Sequence, residues 1–483
     1  MTGTRAVIIH SMMWFKRKGK GLRLSDRAIS LNSYYHSRDY MRARIGSLVI
    51  PDSVRKSHWI TFGGTRTGKT RILMADMRRA IRKGWNVIVL DPKMEQTASA
   101  LWPTMVEAAK SAGRLNDLVY VDVMDPESSV KFNPFGVYVK LQEVVEHVLA
   151  GIPDNEKVQF YKQQAKRCLT FAVNAYDYLE KREGRRPVFS VSKLQEICGY
   201  DWISNAAGVI EDHSKMNPAL KDLATIGRRL VSLSQDKFDE IHSDLWNVFV
   251  NLGTGVVGEI VDTEKGTEIF DRIWEGRGLI MYFYTGSLIV REGSSMVSRV
   301  FLSSLTSLVG KILRFKKGGA LERPLLVVVH ECQNALYNGV ENLVDKSGGA
   351  GVWLHLAAQT NANLEHILGR ILTKVFLDNI GIQLFLNCGD AEGIGRYVAA
   401  KAGRAEVLEV WKRASELGEG STVRDKEKHI LDPSALSRLE ERKFLCFLRK
   451  PKQPTELYVG FVRDVPDPAI TITGTKTFGD LRH

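Results

Sequence analysis

The stretch that decides the fold is Gly63-Gly64-Thr65-Arg66-Thr67-Gly68-Lys69-Thr70, which has the form G-x-x-x-x-G-K-T. Apolar residues immediately before it, at 59–62, predict a short strand. The segment after it is amphipathic, and its apolar positions are Ile72, Leu73, Met77 and Ile81. This spacing predicts a helix with one buried side. A strand, a glycine-rich loop and a helix in this order are typical of a phosphate-binding loop.

The residue types in this loop suit a nucleoside triphosphate. Consecutive backbone N–H groups surround the α- and β-phosphates, and glycine lets the backbone approach them closely. We expect the Lys69 ammonium to reach the β- and γ-phosphates and the Thr70 hydroxyl to hold Mg²⁺. The start of the following helix adds partial positive charge. The sequence therefore predicts ATP and Mg²⁺ as cofactors. The predicted binding residues are Gly63, Gly64, Thr65, Arg66, Thr67, Gly68, Lys69 and Thr70.

Strand and helix patterns alternate on both sides of a long helical segment. Apolar runs at 87–91 and 118–123 follow the loop. Later apolar runs lie at 279–283, 325–329 and 352–358. Continuous apolar runs suit parallel strands that are buried on both faces. Between about 140 and 250 the pattern is mostly helical, with a long helix expected from 157 to 180. The sequence predicts an α/β fold with a mainly parallel sheet and a helical insertion.

A second element of such proteins is an apolar strand that ends in Asp-Glu. The best candidate is the run 325–331, which ends in His330-Glu331. Glu331 stands where a carboxylate polarises the attacking water, whereas His330 stands where an Asp supports Mg²⁺. A neutral imidazole does not supply that negative charge, so magnesium would depend on Thr70 and the phosphates, or hydrolysis would be weak. The alternative is a buried strand that ends in polar residues by chance.

A third candidate is Gln359, which follows the apolar run 352–358. Ligands of open α/β sheets lie at the carboxyl ends of the strands. We therefore expect this amide to contact the γ-phosphate or the attacking water. The alternative is an ordinary loop residue or a helix cap. The predicted catalytic residues are Glu331, Gln359 and Lys69.

Composition restricts the partners and the kinds of site. The chain has 483 residues, a formal net charge of +13 and a pI near 9.4. Such a charge suits nucleic acid or an anionic membrane face, or belongs to a basic enzyme without such a partner. The five cysteines lie far apart without a CxxC pair, which argues against a disulfide framework. His330 and Cys332 do not make a metal site, because no second pair lies at suitable spacing.

Basic residues are concentrated in two parts of the chain. Those of the helical insertion include Lys162, Lys166, Arg167, Lys181, Arg182, Arg185, Arg186, Arg228 and Arg229. They are candidates for contacts with a nucleic-acid backbone, and the alternative is a solvated helix face. The basic run at 16–20 lies in the first 50 residues, which we expect to be irregular. This run is not a secretory signal, because no apolar region leads from it to a cleavage site.

Taken together, these motifs resemble the type IV secretion coupling proteins, the TraD/TraG-like ATPases of conjugation. The matching segments, in family order, are Gly63 to Thr70, Asp91-Pro92-Lys93, Phe132-Asn133-Pro134, Glu331, Gly348-Gly349-Ala350-Gly351, Gln359-Thr360 and Asp378-Asn379-Ile380-Gly381. The Asp-Pro-Lys and Phe-Asn-Pro segments are more specific to the family than the phosphate-binding loop. The resemblance extends over residues 45 to 460.

The resemblance implies a domain organisation. A RecA-like nucleotide-binding domain would comprise 51–140 and 251–465, with an all-α domain inserted at 141–250. A basic N-terminal segment would occupy 1–50 and a C-terminal tail 466–483. The family further implies a hexameric ring with ATP at subunit interfaces, similar to the DNA translocases of the FtsK/HerA group.

The resemblance also implies partners and a location. The implied partners are DNA, single-stranded in transfer, a relaxase with its relaxosome, the ATPases of the secretion channel, and inner-membrane components. The implied location is the bacterial cytoplasm at the inner face of the cell membrane.

Three features depart from the family pattern. Most members begin with transmembrane helices, whereas no apolar run here reaches the roughly 20 residues that a bilayer span needs. The chain would then be a soluble member, a truncated form, or one that borrows an anchor. His330 replaces the expected Asp. The turn before the Gln359 strand carries no arginine, which leaves Arg370 and Arg396 as guesses for a residue that acts on a neighbour's nucleotide.

Three functional hypotheses follow. The leading one is an ATP-driven DNA-translocating motor that acts as a conjugative coupling protein and delivers relaxase-bound DNA to the secretion channel. The second, motivated by His330, is a nucleotide-binding recruitment adaptor with weak hydrolysis. The third is a FtsK/HerA-like DNA pump outside secretion.

Overall fold

The structure is a computed structural model. It describes residues 29–36, 44–50, 57–93, 100–153, 158–286, 290–415, 418–429, 431–449 and 455–461. Within these residues the chain forms two compact units. The first comprises the described residues up to Ile72, Ala358–Asn363, and those from Gly381 onward. The second comprises Leu73–Ala357 and Leu364–Ile380.

The strands of the second unit run parallel to one another. They are β4 (Asn86–Asp91), β5 (Leu118–Asp122), β6 (Ile280–Tyr284), β7 (Leu325–Val329) and β8 (Val352–Ala358). Their order is β8-β7-β4-β6-β5, and every neighbouring pair is parallel. Every residue of these strands is buried, as continuous apolar runs predict. All five strands therefore end at the same edge of the sheet, where Leu90 is level with Val329 and Asp91 with Tyr284.

The first unit combines one parallel strand pair with an antiparallel extension. Its strands are β1 (Ile29–His36), β2 (Arg44–Ile50), β3 (Trp59–Phe62), β9 (Ile382–Phe385), β12 (Lys443–Leu448) and β13 (Glu456–Phe461). Their order is β2-β1-β13-β12-β9-β3, in which β3 and β9 are parallel and the other pairs antiparallel. A separate hairpin joins β10 (Arg404–Ser415) to β11 (Gly418–His429).

A compact apolar core supports the phosphate-binding loop of the first unit. Its buried members are Trp59, Ile72, Ile382, Leu384, Leu386, Phe444, Cys446 and Leu448. Trp59 belongs to the strand before the loop and Ile72 to the helix after it, so both ends of the loop are anchored in this core.

Helices connect the strands and fill the interval between β5 and β6. Around the strands lie α1 (Lys69–Arg82), α2 (Leu101–Ser111), α12 (Arg291–Phe315), α13 (Val340–Lys346), α14 (Asn361–Asn379) and α15 (Arg396–Ala402). The interval contains α3 (Leu141–Gly151), α4 (Gln159–Arg182), α5 (Val191–Ile197), α6 (Tyr200–Ser214), α7 (Lys221–Val231), α8 (Gln235–Ile241), α9 (Ser243–Gly253), α10 (Gly255–Val261) and α11 (Glu268–Glu275).

These elements confirm the predicted α/β fold with a mainly parallel sheet and a helical insertion. The long helix expected from 157 to 180 is α4. The exact limits of the predicted domains stay a prediction. The boundaries of the two compact units lie elsewhere, at Ile72 and around Ala358 and Gly381.

The described N-terminal residues differ from their predicted structure. The described part of residues 1–50 is not irregular, because β1 pairs with β2 and with β13. Sequence periodicity missed these strands because β13 lies more than 400 residues away along the chain. The basic run at 16–20 and the tail at 466–483 lie outside the described residues.

One helix bears on the expectation that no apolar run is long enough to span a bilayer. Helix α12 has 25 residues, and its most apolar 18-residue window has a mean hydropathy of 1.4. By length and composition it is able to cross a membrane, but 72% of that window is buried within the protein. It packs against α3, α9 and α13. This burial is typical of a core helix.

Candidate functional site

The phosphate-binding loop is a closed turn that surrounds the Lys69 ammonium. Lys69 Nζ donates hydrogen bonds to the carbonyl oxygens of Gly63 at 2.7 Å and Gly64 at 2.9 Å, and the residue is 6% exposed. The Gly63 N–H donates to the Ala358 carbonyl at 3.2 Å, and the Gly64 N–H donates to the Asn387 carbonyl at 2.9 Å. The loop is thus tied to Ala358 and Asn387 of the first unit, and Lys69 lies inside it.

The backbone of the loop needs glycine at two of its positions. A Cβ at Gly63 would lie 2.6 Å from Thr67 Oγ1 and 2.8 Å from Leu386 Cβ, which is closer than van der Waals contact permits. Gly68 has a φ of 110°, a conformation that L residues rarely adopt. A Cβ at Gly64 would meet its nearest neighbour at 3.6 Å, which is ordinary contact. Glycine is therefore required by packing at 63 and by backbone conformation at 68.

The start of α1 fits a phosphate group with a magnesium ion. Helix α1 begins at Lys69 and has no acidic residue in its first turn to neutralise the partial positive charge there. The half-buried Thr70 hydroxyl makes no hydrogen bond within the described residues, so it is available as an oxygen ligand. Lysine, hydroxyl and consecutive backbone N–H groups form a donor set typical of triphosphate binding.

Gln359 directly follows the last residue of β8. Its carbonyl oxygen accepts a hydrogen bond from the Cys388 thiol at 3.6 Å, and burial raises the pKa of that thiol. The hydroxyl of the next residue, Thr360, accepts from the Asn363 N–H at 3.2 Å at the start of α14. The capping bond at this helix therefore belongs to Thr360. A role of Gln359 in hydrolysis stays a prediction.

A second cluster lies at the carboxyl edge of the parallel strands in the second unit. His330 Nδ1 lies 2.9 Å from Asp91 Oδ1, and both residues are buried. The Tyr282 hydroxyl donates to Asp91 Oδ2 at 2.8 Å, and the Lys93 N–H donates to Asp91 Oδ1 at 3.0 Å. Burial and the nearby Asp91 charge raise the pKa of Tyr282 well above its ordinary value, so this hydroxyl stays a donor. The imidazole of His330 thus contacts a buried carboxylate on the neighbouring strand.

Glu331 is held in an unusual backbone conformation beside this pair. Its φ and ψ are 50° and 57°, the left-handed region, which costs an ordinary residue about 1–2 kcal/mol. Its buried carboxylate lies 3.0 Å from Lys93 Nζ and accepts from Gln333 Nε2 at 2.7 Å. A strained backbone that holds a buried carboxylate is typical of functional sites.

The next strand end carries another buried carboxylate, Asp122. Its Oδ2 accepts from the Tyr120 hydroxyl at 2.8 Å and its Oδ1 from the Met124 N–H at 2.7 Å. Burial raises the pKa of Asp122. These local partners satisfy both oxygens, so Asp122 acts as a structural group at this edge.

Sequence reasoning identified Glu331 and His330 but not their partners. Asp91 and Lys93 entered only as a family motif, although their place after an apolar strand was a usable signal. The structure brings Asp91 to His330 and Lys93 to Glu331. It also brings Lys69 together with the carbonyl groups of the loop.

The other candidates are two arginines and the basic residues of the helical region. Arg396 is exposed and pairs with Glu392, and Arg370 is also exposed. No group of three or more His, Cys, Asp or Glu residues suited to a metal occurs within the described residues. Several basic residues of the helical region form surface ion pairs, namely Lys166, Lys181, Arg185 and Arg228. Such pairs are typical of a solvated helix face.

Comparison with known proteins is informative at the level of family and fold. The family described as "Type IV secretory system Conjugative DNA transfer" matches residues 14–191, and "TraM recognition site of TraD and TraG" matches residues 324–441. The first match includes Lys69 and Asp91, and the second includes Glu331 and Gln359. No curated protein matches the chain.

Solved structures of a conjugative coupling protein share the fold. The unbound form of TrwBdeltaN70 aligns with a TM-score of 0.58 and 13% identity, over 87% of this chain and 88% of that chain. TrwB in complex with a non-hydrolysable ATP analogue aligns with 0.57 and 12% identity, over 86% and 87% of the chains. TrwB in complex with ADP and Mg²⁺ aligns with 0.55 and 12% identity, over 87% and 88%.

The two family matches include the loop, Asp91, His330, Glu331 and Gln359, in this order along the chain. The chain therefore belongs to the family of conjugative coupling proteins of type IV secretion.

Proposed function

We propose that this coupling protein is a P-loop ATPase that uses ATP with Mg²⁺ to translocate DNA into a type IV secretion channel. The observation that carries the proposal is the closed loop Gly63–Thr70 with the Lys69 ammonium inside it. The TrwB complexes with ADP and Mg²⁺ and with an ATP analogue support nucleotide binding by a chain of this fold.

Each residue of the proposed machinery has a role that its chemistry allows. Lys69 compensates the charge that develops on the phosphates, and the Thr70 hydroxyl holds Mg²⁺. A bound Mg²⁺ would neutralise charge on the phosphate oxygens. Glu331 orients the attacking water with a buried carboxylate, and Gln359 offers a neutral amide to the γ-phosphate or to that water.

The proposed partners follow from family and charge. A net charge of +13 favours association with DNA, single-stranded during transfer. The family description that names a TraM recognition site supports a TraM-like partner for the region 324–441. We further propose a hexamer that receives a relaxase with its DNA at the inner face of the membrane and meets the channel ATPases and inner-membrane components there.

The first prediction tests nucleotide binding and turnover. Lys69→Ala removes a charged donor worth about 1.5–3 kcal/mol. We therefore expect about 10- to 100-fold weaker binding of Mg-ATP and loss of turnover. Binding of a fluorescent ATP analogue and phosphate release with and without DNA, over a range of protein concentrations, measure both effects.

Lys110→Ala is the matched control, because Lys110 is an exposed lysine whose side chain makes no hydrogen bond within the described residues. Its thermal stability and turnover should match those of the parent. A Lys69→Ala variant that hydrolyses ATP as fast as the parent would refute the proposal.

A second candidate function is a recruitment adaptor that binds nucleotide and scarcely hydrolyses it. The observation that favours it is His330 in place of the acidic residue of the usual motif. Tight binding of Mg-ATP together with background turnover, unchanged by DNA, would select this function. Family membership favours both candidates over a DNA pump outside secretion.

A further inference from the structure

The C-terminal end of α12 and the turn after it carry basic and apolar side chains at the surface of the second unit. Leu313 is 41% exposed and Phe315 is 56% exposed, although both are large apolar residues. Single exposed apolar residues are common on protein surfaces, but two of them beside four cations indicate an interaction surface. We call this surface the helix-end patch, and its residues are Lys311, Leu313, Arg314, Phe315, Lys316 and Lys317.

The helix-end patch lies at the amino edge of the parallel strands. The turn after α12 leads into β7, where the Leu325 N–H donates to the Gly351 carbonyl at 2.9 Å. Earlier in the same turn the Leu321 N–H donates to the Ala350 carbonyl at 2.9 Å, just before β8 begins. Glu331 follows the other end of β7, at the carboxyl edge. The patch is therefore separate from the cluster that holds Glu331.

The positive charges of the patch are not neutralised by the protein. Four of its side chains are cations that form no ion pair within the described residues, namely Lys311, Arg314, Lys316 and Lys317. The ammonium groups of Lys311 and Lys316 lie 4.7 and 5.5 Å from the centroid of the Trp274 ring. Along the chain, no acidic residue occurs between Glu292 and Glu322. The four charges are therefore available to an external anion.

The side chains of the patch favour a lipid surface over a nucleic acid. Proteins that bind single strands stack bases on aromatic faces, whereas the Arg314 guanidinium lies over the Phe315 ring, 5.4 Å from its centroid. Leu313 is aliphatic and offers no stacking face. The six patch residues include no amide or hydroxyl side chain that would contact base edges. Lysine and arginine around exposed leucine and phenylalanine are typical of segments that lie at the surface of an anionic bilayer.

We propose that the helix-end patch docks on an anionic membrane surface, with its cations at the lipid phosphates and Leu313 and Phe315 at the boundary of the acyl chains. The inference rests on the proposed location at the inner face of the membrane and deepens it. Because 72% of the most apolar window of α12 is buried, the helix stays within the protein and only its end meets the lipid. Such a contact is weak and reversible, and a second attachment reinforces it.

Co-sedimentation of the full chain with vesicles measures the proposed contact. The anionic vesicles contain phosphatidylglycerol and phosphatidylethanolamine, and neutral vesicles of phosphatidylcholine are the comparison. Arg314→Gln/Lys317→Gln removes the two exposed cations of the patch, so affinity for the anionic vesicles should fall about 30-fold. Leu313→Ser/Phe315→Ser keeps the charge and should weaken the binding that remains at high salt, where the electrostatic attraction is screened.

Lys221→Gln/Arg291→Gln is the matched control, because it also removes one lysine and one arginine. Both residues are exposed and form no ion pair within the described part of the chain. Arg291 begins α12, about 35 Å from the patch at the other end of the helix. The control should bind the anionic vesicles as the parent does, and thermal melts should show all variants folded.

Three vesicle results would overturn the inference. They are a parent without preference for anionic vesicles, a patch variant that binds them as tightly as the parent, and an equal loss of affinity in the control. Fluorescence anisotropy with single-stranded DNA tests the alternative partner. Loss of DNA affinity in Arg314→Gln/Lys317→Gln, with vesicle binding unchanged, would assign the patch to nucleic acid and overturn the inference as well.

The proposed ATPase function is tested separately on the same proteins. Binding of a fluorescent ATP analogue with Mg²⁺ should be equal in the parent and in Arg314→Gln/Lys317→Gln, because neither residue belongs to the phosphate-binding loop. A parent that binds anionic vesicles but no Mg-nucleotide would contradict the proposed ATPase and leave the inference standing. A parent that binds Mg-nucleotide but no anionic vesicles would contradict the inference alone.

Discussion

At the scale of single residues, Glu331 combines a strained backbone conformation with a buried charged side chain. It has the left-handed backbone that favours glycine, yet it carries a buried carboxylate that contacts Lys93 and Gln333. A residue type selected for folding alone would relieve this strain. We therefore infer that the strained backbone is retained because it holds the carboxylate at the end of β7.

Two substitutions of Glu331 separate the effect of backbone strain on stability from the effect of the carboxylate on turnover. Glu331→Ala and Glu331→Gly both remove the carboxylate, so both should abolish turnover. Glycine accepts a φ of 50° without cost, so Glu331→Gly should be more stable than Glu331→Ala by about 1 kcal/mol. Urea unfolding of both variants measures the difference. Equal stabilities would show that residue 331 is unstrained in solution.

At the scale of elements, helices α3 and α12 are joined by a buried histidine. His147 Nδ1 lies 2.8 Å from Ser303 Oγ, and Nε2 lies 3.1 Å from the Val137 carbonyl oxygen. Because that carbonyl only accepts, Nε2 carries the proton and Nδ1 accepts from the Ser303 hydroxyl. Burial lowers the pKa of His147 from 6.5 to about 4.

This pKa makes the stability of the second unit depend on pH. Below pH 6.5 the unfolded state binds a proton at residue 147, whereas the folded state does so only near pH 4. The free energy of unfolding therefore falls as the pH decreases from 6.5 to about 4, in total by about 3 kcal/mol. Above pH 6.5 this contribution is constant.

Urea unfolding at several pH values measures the effect, with His147→Gln as the comparison. The variant lacks the titrating ring, so its stability should fall less steeply between pH 6.5 and 4. Parallel curves for parent and variant would exclude His147 as the source of the acid sensitivity.

At the scale of the whole molecule, positive charges outnumber negative ones, but some of them are already neutralised by ion pairs. The net charge is +13, yet Arg185 of the helical region is paired with Glu180 and Glu183. Arg229 is exposed and has no ion pair within the described residues. Charges of the second kind are free to replace counterions on a nucleic-acid backbone.

The salt dependence of DNA binding tests this distinction. Arg229→Ala and Arg185→Ala change the net charge equally. If Arg229 contacts a phosphate of single-stranded DNA, its loss should lower the slope of log K against log salt by about 0.7. Arg185→Ala should leave the slope near that of the parent. Fluorescence anisotropy over a salt series measures both, and equal slopes in all three proteins would place the DNA elsewhere.

Much of the fold was predictable from local patterns. Continuous apolar runs identified all five parallel strands of the second unit, because strands buried on both faces carry no polar alternation. The glycines and Lys69 identified the loop, because only a few residue types tolerate that backbone and chemistry. The strands β1 and β2 were missed, because their pairing depends on β13 at the other end of the chain.

The surroundings of residue 330 were not predictable from the local sequence. From sequence it was recognised only as the loss of an acidic residue, since Asp91, which contacts it, lies 239 positions away. Parallel pairing of β4 with β7, with Leu90 level with Val329, makes the two side chains neighbours. Local residue types were enough to predict the phosphate-binding loop, whereas ATP and Mg²⁺ as its cofactors stay a prediction. Strand order and register, which depend on packing over long sequence separations, decided where the negative charge of the second cluster lies.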